Sequence, residues 1–567
     1  MTSERYIQLT NIHLILPSGA LSALTSLYID TNTGLICSPP SSSSGVDEIL
    51  TIDLEGHWVS PGMIDIQING AFGIDLSDFT DEKTYVDGFK KMSEGLCKIG
   101  VTGFLPTIIS QTKENYHSIL PLLRTLSSST SLDSKERHSR SLGYHLEGPF
   151  IHPRKSGCHP TSNLITAPKG LHSLVETYGE DSFVRRNEDS LVKMITVAPD
   201  VEGILEVIPG LVERGWKVSL GHTNASTEQA LQGVANGATL LTHLFNAMPP
   251  MHHREPGLIG LLGLPPTSSS GQTVRPSIAQ RVYSVAPTPK TISEVPTRVP
   301  SPVQETEQNP VQVDTCCGDN GTKTCAGGKM GCKAKDLSVN TDRCVNGGCE
   351  DETCDYVYIH SGKKPKNHLN FSLKFDDLSV QANDGRDTSS PESSDSARSD
   401  GDPRLIQLSE GGDEQDGSIV KRPYFSIIAD GIHVHPQAVC MAYNAHPDGC
   451  ILVSDAMHML DPSLADGVHP WRDQHIEKRN GGITLAGTDT LAGSILPLPQ
   501  AVLNLSNSGI PLSKAVVCAT YTPAKALGGE VENMIGLSVG CWADLCIWDG
   551  KGLKGVWKGG KEVWYEG

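Results

Sequence analysis

Two short apolar runs in this chain each stop at a histidine. WKVSL leads to Gly221 and His222, TLL leads to Thr242 and His243, and the helix-like segment TEQALQGVANGA lies between them. Strand, histidine, helix, strand, histidine would set two imidazoles side by side at the carboxyl ends of neighbouring parallel strands, where they can share a metal ion. A single histidine in such a place needs no special role, because the residue is tolerated at half-buried positions. Two in matched contexts ask for a reason. Other polar residues end apolar runs in the same way: Glu147 in YHLEGPF, Asp455 in LVSDAM, and Asp65, Gln67 and Asn69 in IDIQING. One carboxylate and two imidazoles around an open position is a catalytic zinc arrangement. Glu147, His222 and His243 are therefore the expected ligands, with Asp455 the base beside the attacking water. Taken singly, Glu147 and Asp455 could each serve a helix N-terminus instead. His433 and His435 form an HxH pair in DGIHVHP, with side chains on one face in extended chain; His433 is assigned to polarising the substrate and His435 to the surface.

Groups this far apart in sequence need a scaffold that gathers strand ends. Apolar runs that stop abruptly predict eight strands, at Trp58 to Ile66, Val101 to Ile108, Leu142 to Leu146, Val192 to Val197, Lys217 to Leu220, Ala238 to Thr242, Tyr424 to Ala429 and Cys450 to Ser454. Most of the gaps hold an amphipathic segment such as DEKTYVDGFKKMSEGLCK. Eight strand and helix units predict an α/β fold, a (β/α)8 TIM-like barrel with reactive groups at the carboxyl ends of its strands. Residues 1–60 and 535–567 share a different texture, short alternating strands between glycine turns, and are expected to build one small β-sandwich domain from both chain ends. The barrel is then expected in two parts, 61–264 and 422–534. Between them, residues 265–421 turn to Ser, Pro, Thr, Gln and charge, an insertion between barrel strands 6 and 7 that is expected to be disordered because it cannot bury enough apolar surface. It holds seven cysteines, Cys316 to Cys354, with no CxxC spacing and no histidine among them, which speaks against a zinc finger. It follows a helix-like GLIGLLG and precedes strand seven, so it is expected on the face opposite the reactive groups.

Composition narrows the partners. The 567 residues carry a net charge of −19, which repels nucleic acid and anionic membranes at long range. No apolar stretch is long enough to span a bilayer, and the start lacks the pattern of a secretory signal. A cytoplasmic protein is expected, with the eight scattered cysteines reduced and buried.

The segments PGMIDIQING, HLEGPFIHPRKSGCHP, SLGHTNAS, THLFNAMPPMHHREPGLIG, IIADGIHVHP, LVSDAM and LAGS, in this order, resemble the N-acetylglucosamine-6-phosphate deacetylases of the amidohydrolase superfamily. The likeness covers essentially the whole chain outside the insertion. It implies hydrolysis of the acetamide of N-acetyl-D-glucosamine 6-phosphate to D-glucosamine 6-phosphate and acetate, in amino-sugar catabolism. Glu147, His222 and His243 would hold one divalent metal ion per subunit, Zn2+ first, with Fe2+, Co2+ or Mn2+ as alternatives. Asp455 would be the general acid and base, and His433 would polarise the acetyl carbonyl. Asn246 and Ala247 would contact the sugar or phosphate, with Gln67 and Asn69 also among the substrate contacts. His159 and Arg254 would meet the phosphate, Arg254 from the neighbouring subunit of a homodimer. Gln67 and Asn69 depart from the HxH that many amidohydrolases carry at the end of strand one, and amides are poor metal ligands beside imidazole. That favours one metal over two. It also motivates a rival reading, a catalytically weak barrel that serves as a binding scaffold through its insertion.

Overall fold

The computed structural model describes residues 5–40, 49–129, 137–183, 191–265, 421–461, 463–471, 474–479 and 481–566. Eight parallel strands form its centre: β1 (Met63–Ile68), β2 (Val101–Ile109), β3 (Tyr144–Glu147), β4 (Val192–Val197), β5 (Lys217–Leu220), β6 (Leu240–Leu241), β7 (Tyr424–Ile427) and β8 (Cys450–Leu452). Each pairs in parallel with the next. The sheet closes on itself where Ile68 bridges Ala456 in parallel and the Asp455 amide donates to the Gln67 carbonyl at 2.9 Å. This is the expected (β/α)8 barrel.

Parallel strands covered on both faces read as continuous apolar runs, and all nine residues of β2 are buried. Inside, Ile64, Ile66, Leu105, Leu142, Met194, Leu240, Ile451 and Val453 pack together and are plugged from below by Ala524 and Leu527. Helices cover the outside. In α1 (Glu82–Lys98), Tyr85, Phe89, Met92 and Leu96 recur at helical spacing and are buried, and the Asp81 carboxylate caps the first turn by accepting from the Thr84 amide. In α2 (Thr227–Ala235), Ser226 and Gln229 form a reciprocal capping box. The chain leaving His222 is thereby fixed three residues beyond Thr223.

Strands from both chain ends share one sheet, in the order Lys561–Tyr565, Leu553–Lys558, Leu545–Trp548, Trp58–Pro61, Tyr6–Leu14, Thr25–Asp30, Leu35–Cys37, with Ile49–Asp53 beside Tyr6–Leu14. It encloses its own core of Leu9, Ile12, Ile29, Val59, Leu545, Ile547 and Trp557. Trp58–Pro61, expected as the start of the first barrel strand, belongs instead to this satellite sheet, antiparallel to Leu545–Trp548. The break falls at Gly62, where a Cβ would collide with the Thr102 side chain. Lys558 of the satellite is buried against Asp544 and also donates to the Thr102 carbonyl of β2 at 3.1 Å. A three-stranded antiparallel sheet, Gly467–Trp471, Gln474–Arg479 and Gly482–Leu485, follows β8 and was not expected. Trp471, Ile476 and Ile483 pack with Ile109 and Met457, so this sheet sits beside the carboxyl ends of β2 and β8. The expected insertion and its cysteines lie outside the described residues. Its flanks are described: Leu264 follows the 3-10 turn Gly257–Gly263, and Lys421 leads into the amino end of β7.

Candidate metal centre

The strand ends deliver the reactive groups to one point. Glu147 ends β3, His222 lies just past β5, His243 just past β6 and Asp455 just past β8, and all four are buried. Glu147 Oε1 is 3.3 Å from His222 Nε2 and 3.3 Å from His243 Nε2. The two Nε2 atoms are 2.9 Å apart, with the rings edge to face. His222, His243 and Asp455 all hold left-handed backbone, at φ 47°, 31° and 47°, a region that non-glycine residues enter only where surrounding structure compels it. The turn at each strand end swings the side chain inward over the barrel mouth.

Protonation follows from the partners. His222 Nδ1 lies 2.7 Å from the Lys155 carbonyl, which can only accept, so Nδ1 carries a proton and Nε2 is the nitrogen that faces the cluster. The His243 amide is held by Ser426 Oγ at 2.8 Å, and its buried Nδ1 has no hydrogen-bond partner among the described residues. Burial works against charge on Glu147, yet hydrogen bonds from His222 and His243, with the charges of His222 and His159, outweigh it and hold the carboxyl well below its usual range. Burial pushes Asp455 up to about 6, helped by the charge of Glu147 and opposed by His243, His433 and a hydrogen bond from Asn69. The two carboxyls thus divide into one that stays ionised and one poised near neutrality.

A carboxylate oxygen and two imidazole nitrogens converging within 3.3 Å are a donor set that fits a divalent cation such as zinc. Glu147, His159 and His222 also present ligand atoms that all lie within 4.8 Å of one another. His159 differs from the other two imidazoles in its tautomer. Its Nδ1 accepts the Ser110 amide at 3.2 Å, so Nε2 carries the proton and points at Glu147 Oε2, 3.9 Å away. That chemistry suits a donor behind the carboxylate better than a metal ligand.

Gln67 and Asn69 are turned into the mouth by a bulge in β1, where one extra residue lies between Asp65 and Ile68 relative to β2. Their amides are spent on the carboxylates: Gln67 Nε2 donates to Glu147 Oε1 at 2.8 Å, and Asn69 Nδ2 to Asp455 Oδ1 at 2.7 Å. Both were expected to meet substrate. Asp65 Oδ1 accepts from the amides of Gln67 and Ser454, tying the bulge to the end of β8. Asn246 is half-buried, its amide donating to the His243 carbonyl at 3.3 Å, and Ala247 holds a left-handed φ of 50°. His159, expected at the phosphate, is buried against His222 with ring centroids 4.5 Å apart. Arg254 is exposed on the loop after β6. His433 is largely buried, with Nδ1 2.6 Å from Asp430 Oδ2. His435 is exposed and caps the helix Pro436–Ala445 through its ring nitrogen.

Sequence reasoning missed the layer beneath the site. His145 Nε2 meets Thr196 Oγ1 at 2.8 Å, Thr196 meets Thr242 at 2.7 Å, and Thr242 meets Ser219 at 2.6 Å, a buried chain across β3, β4, β5 and the end of β6. Burial drives the His145 imidazole down to about 4, so it stays neutral. The signal was present: a polar residue in each otherwise apolar strand, at one height in the barrel. Asp430 was also missed, although it stands three residues before His433 at the end of β7.

No family model matches the chain. Among curated proteins, it is 29% identical to the N-acetylglucosamine-6-phosphate deacetylase of Caenorhabditis elegans over 88% of this chain and 80% of that one. It is 27% identical to the protein of that name from Homo sapiens, over 90% and 85%. Among solved structures, the N-acetylglucosamine-6-phosphate deacetylase of Pasteurella multocida matches with a TM-score of 0.60 at 19% identity, covering 98% of this chain and 99% of that one. Its counterpart from Thermotoga maritima matches at 0.59 and 19%, covering 99% and 100%. At that identity the structures speak for the fold.

Proposed function

We infer that this chain belongs to the N-acetylglucosamine-6-phosphate deacetylases and hydrolyses the acetamide of N-acetyl-D-glucosamine 6-phosphate, giving D-glucosamine 6-phosphate and acetate. The observation that carries the reading is the meeting of Glu147, His222 and His243 at one point, with Asp455 past the end of β8 on the same face and held there by Asn69. Curated relatives of that name match most of the chain, and a Mycobacterium smegmatis relative of the same fold was solved as a mutant with N-acetyl-D-glucosamine-6-phosphate bound.

Glu147, His222 and His243 would hold one divalent ion, with Zn2+ the first choice for this nitrogen and oxygen donor set. Such an ion, when bound, lowers the pKa of a coordinated water and polarises a carbonyl oxygen. The protein's own groups supply the rest. Asp455 takes the proton of the attacking water and returns it to the departing amine, which would otherwise leave as an impossibly basic anion. Asn69 holds Asp455 through Oδ1, leaving Oδ2 for that traffic. His433 donates toward the acetyl oxygen as negative charge develops there. Gln67 holds Glu147 in place of a second imidazole pair, which supports a single metal.

His159, Asn246, Ala247 and Arg254 are proposed to receive the phosphosugar. Arg254, exposed on its loop, would do so across a homodimer interface, lending a focused positive charge to a protein of net charge −19. A cytoplasmic setting is proposed for the chain, and among the described residues no helix is long and apolar enough to cross a membrane. Purified protein with measured metal content, assayed for acetate release from N-acetylglucosamine 6-phosphate and from N-acetylglucosamine, tests the reading. Release that requires metal and the phosphate is expected; metal-free protein without release would favour a binding scaffold.

A further inference from the structure

The loop after β7 holds a second carboxylate and imidazole pair, apart from the metal cluster. Asp430 Oδ1 accepts the amides of Ile432 and His433, each at 2.8 Å, and Oδ2 faces His433 Nδ1 at 2.6 Å. Both side chains are almost fully buried, 4% and 7% exposed. A carboxylate that accepts from three donors is ionised, and its partner nitrogen must then carry a proton. Only Nε2 of His433 remains for the reaction, and the pair stands past the carboxyl end of β7, on the barrel face that carries the metal cluster.

This fixes what His433 can do. A neutral imidazole with its proton on Nδ1 has a lone pair at Nε2 and cannot donate to a carbonyl oxygen. To donate there, it must be doubly protonated. We propose that Asp430 is a positioning residue that holds His433 as an imidazolium, so that the group facing the acetyl oxygen is a charged donor rather than a neutral one. The proposal rests on the deacetylase reading. A short charge-assisted contact of this kind locks the ring and favours the cation, and a fixed positive charge aimed at a developing oxyanion in a dry site is worth more than a neutral dipole.

The variant Asp430→Asn separates charge from shape. Its oxygen is claimed by the amides of Ile432 and His433, so its NH2 must face Nδ1, which then becomes the acceptor. His433 is left neutral with its proton on Nε2, still a donor but without charge. We expect kcat on N-acetylglucosamine 6-phosphate to fall by ~10- to 100-fold with little change in KM. The fall should shrink for the N-trifluoroacetyl analogue, whose carbonyl is already electron-poor. In a His433→Asn background, Asp430→Asn should cost nothing further, because the two act as one unit. Unchanged kcat, equal losses on both substrates, or additive losses in the double variant would overturn the proposal. On the unaltered protein, 15N-histidine labelling should show a far-downfield Nδ1 proton resonance that His433→Asn removes. Absence of that resonance would overturn it whether or not the protein releases acetate, whereas absence of acetate release with the resonance present would count against the deacetylase reading alone.

Discussion

His222 and His243 point their Nε2 atoms at each other across 2.9 Å, each from a left-handed turn at the end of its strand. Two imidazoles at that distance, with an ionised Glu147 3.3 Å from both, spend backbone strain of about 1–3 kcal/mol per residue to bring lone pairs together. A bound cation repays it. Dialysis against a chelator should therefore lower the thermal midpoint as well as abolish acetate release, since a ligand that binds only the folded state stabilises it. Glu147→Gln, His222→Asn and His243→Asn should each lose the metal that elemental analysis finds in the parent at one equivalent. Full metal content in all three would remove the centre from this place.

Asp455→Asn should keep the metal, because Asp455 lies beyond the three ligands, and should still bind substrate. Its turnover should drop by about 10²–10⁴-fold, the usual worth of a positioned acid and base. Near-normal turnover with normal metal content would take the proton-transfer role from it.

The ligand set was legible because a barrel strand that ends in a polar residue announces its own geometry: Glu147, His222, His243 and Asp455 each follow an apolar run. Gln67 and Asn69 were located but not understood. Their partners depend on the bulge in β1, and a one-residue slip that reverses which side chains face inward leaves no trace in composition. For the same reason Trp58–Pro61 was placed in the barrel: its apolar pattern suits either sheet, and only the tight fit of Gly62 against Thr102 ends one sheet and starts the other. The hairpins after β8 did carry a turn signal in Asn480 and Gly481. It was hidden by the polar residues of GVHPW and QHIEKR, strands that bury little beyond Trp471 and Ile476.

Lys558 joins the satellite sheet to the barrel with its ammonium fully buried, and burial pulls its pKa down while Asp544 pushes it up. Lys558→Ala would leave Asp544 without that buried partner. Such losses cost about 3–5 kcal/mol, measurable as a lower denaturant midpoint, and metal content per folded molecule should be unaffected. A change below about 0.5 kcal/mol would show the pair to be replaceable.

His446, at the end of the helix Pro436–Ala445, has its pKa lowered to about 4 from 6.5, first by burial and then by the charge of Arg422. The unfolded chain takes up this proton more readily than the folded one. Its influence is absent above pH 6.5 and destabilises the fold progressively as pH falls toward 4. His446→Gln should flatten the pH dependence of stability in that window; an unchanged slope would assign the acid sensitivity to other groups.

The flanks of residues 266–420 argue for their dispensability. Arg422 donates to the carbonyls of Leu262 and Ala445, so the chain entering the insertion and the chain leaving it are held within one side chain's reach. Both lie at the amino end of β7, whereas Glu147, His222, His243 and Asp455 lie past the carboxyl ends of their strands. Barrels separate these faces by function, chemistry on one and stability on the other. A short Gly/Ser linker in place of 266–420 spans ends already held close and adds little closure entropy. The shortened protein should fold, keep its metal and retain turnover within about twofold, as surface insertions at such connections generally allow. Arg422→Ala in the same background should lower stability, because the two carbonyls it serves lose their donor. If a soluble, folded deletion lost both metal and activity, the insertion would have to act on the catalytic face, and the scaffold reading would gain what the deacetylase reading lost.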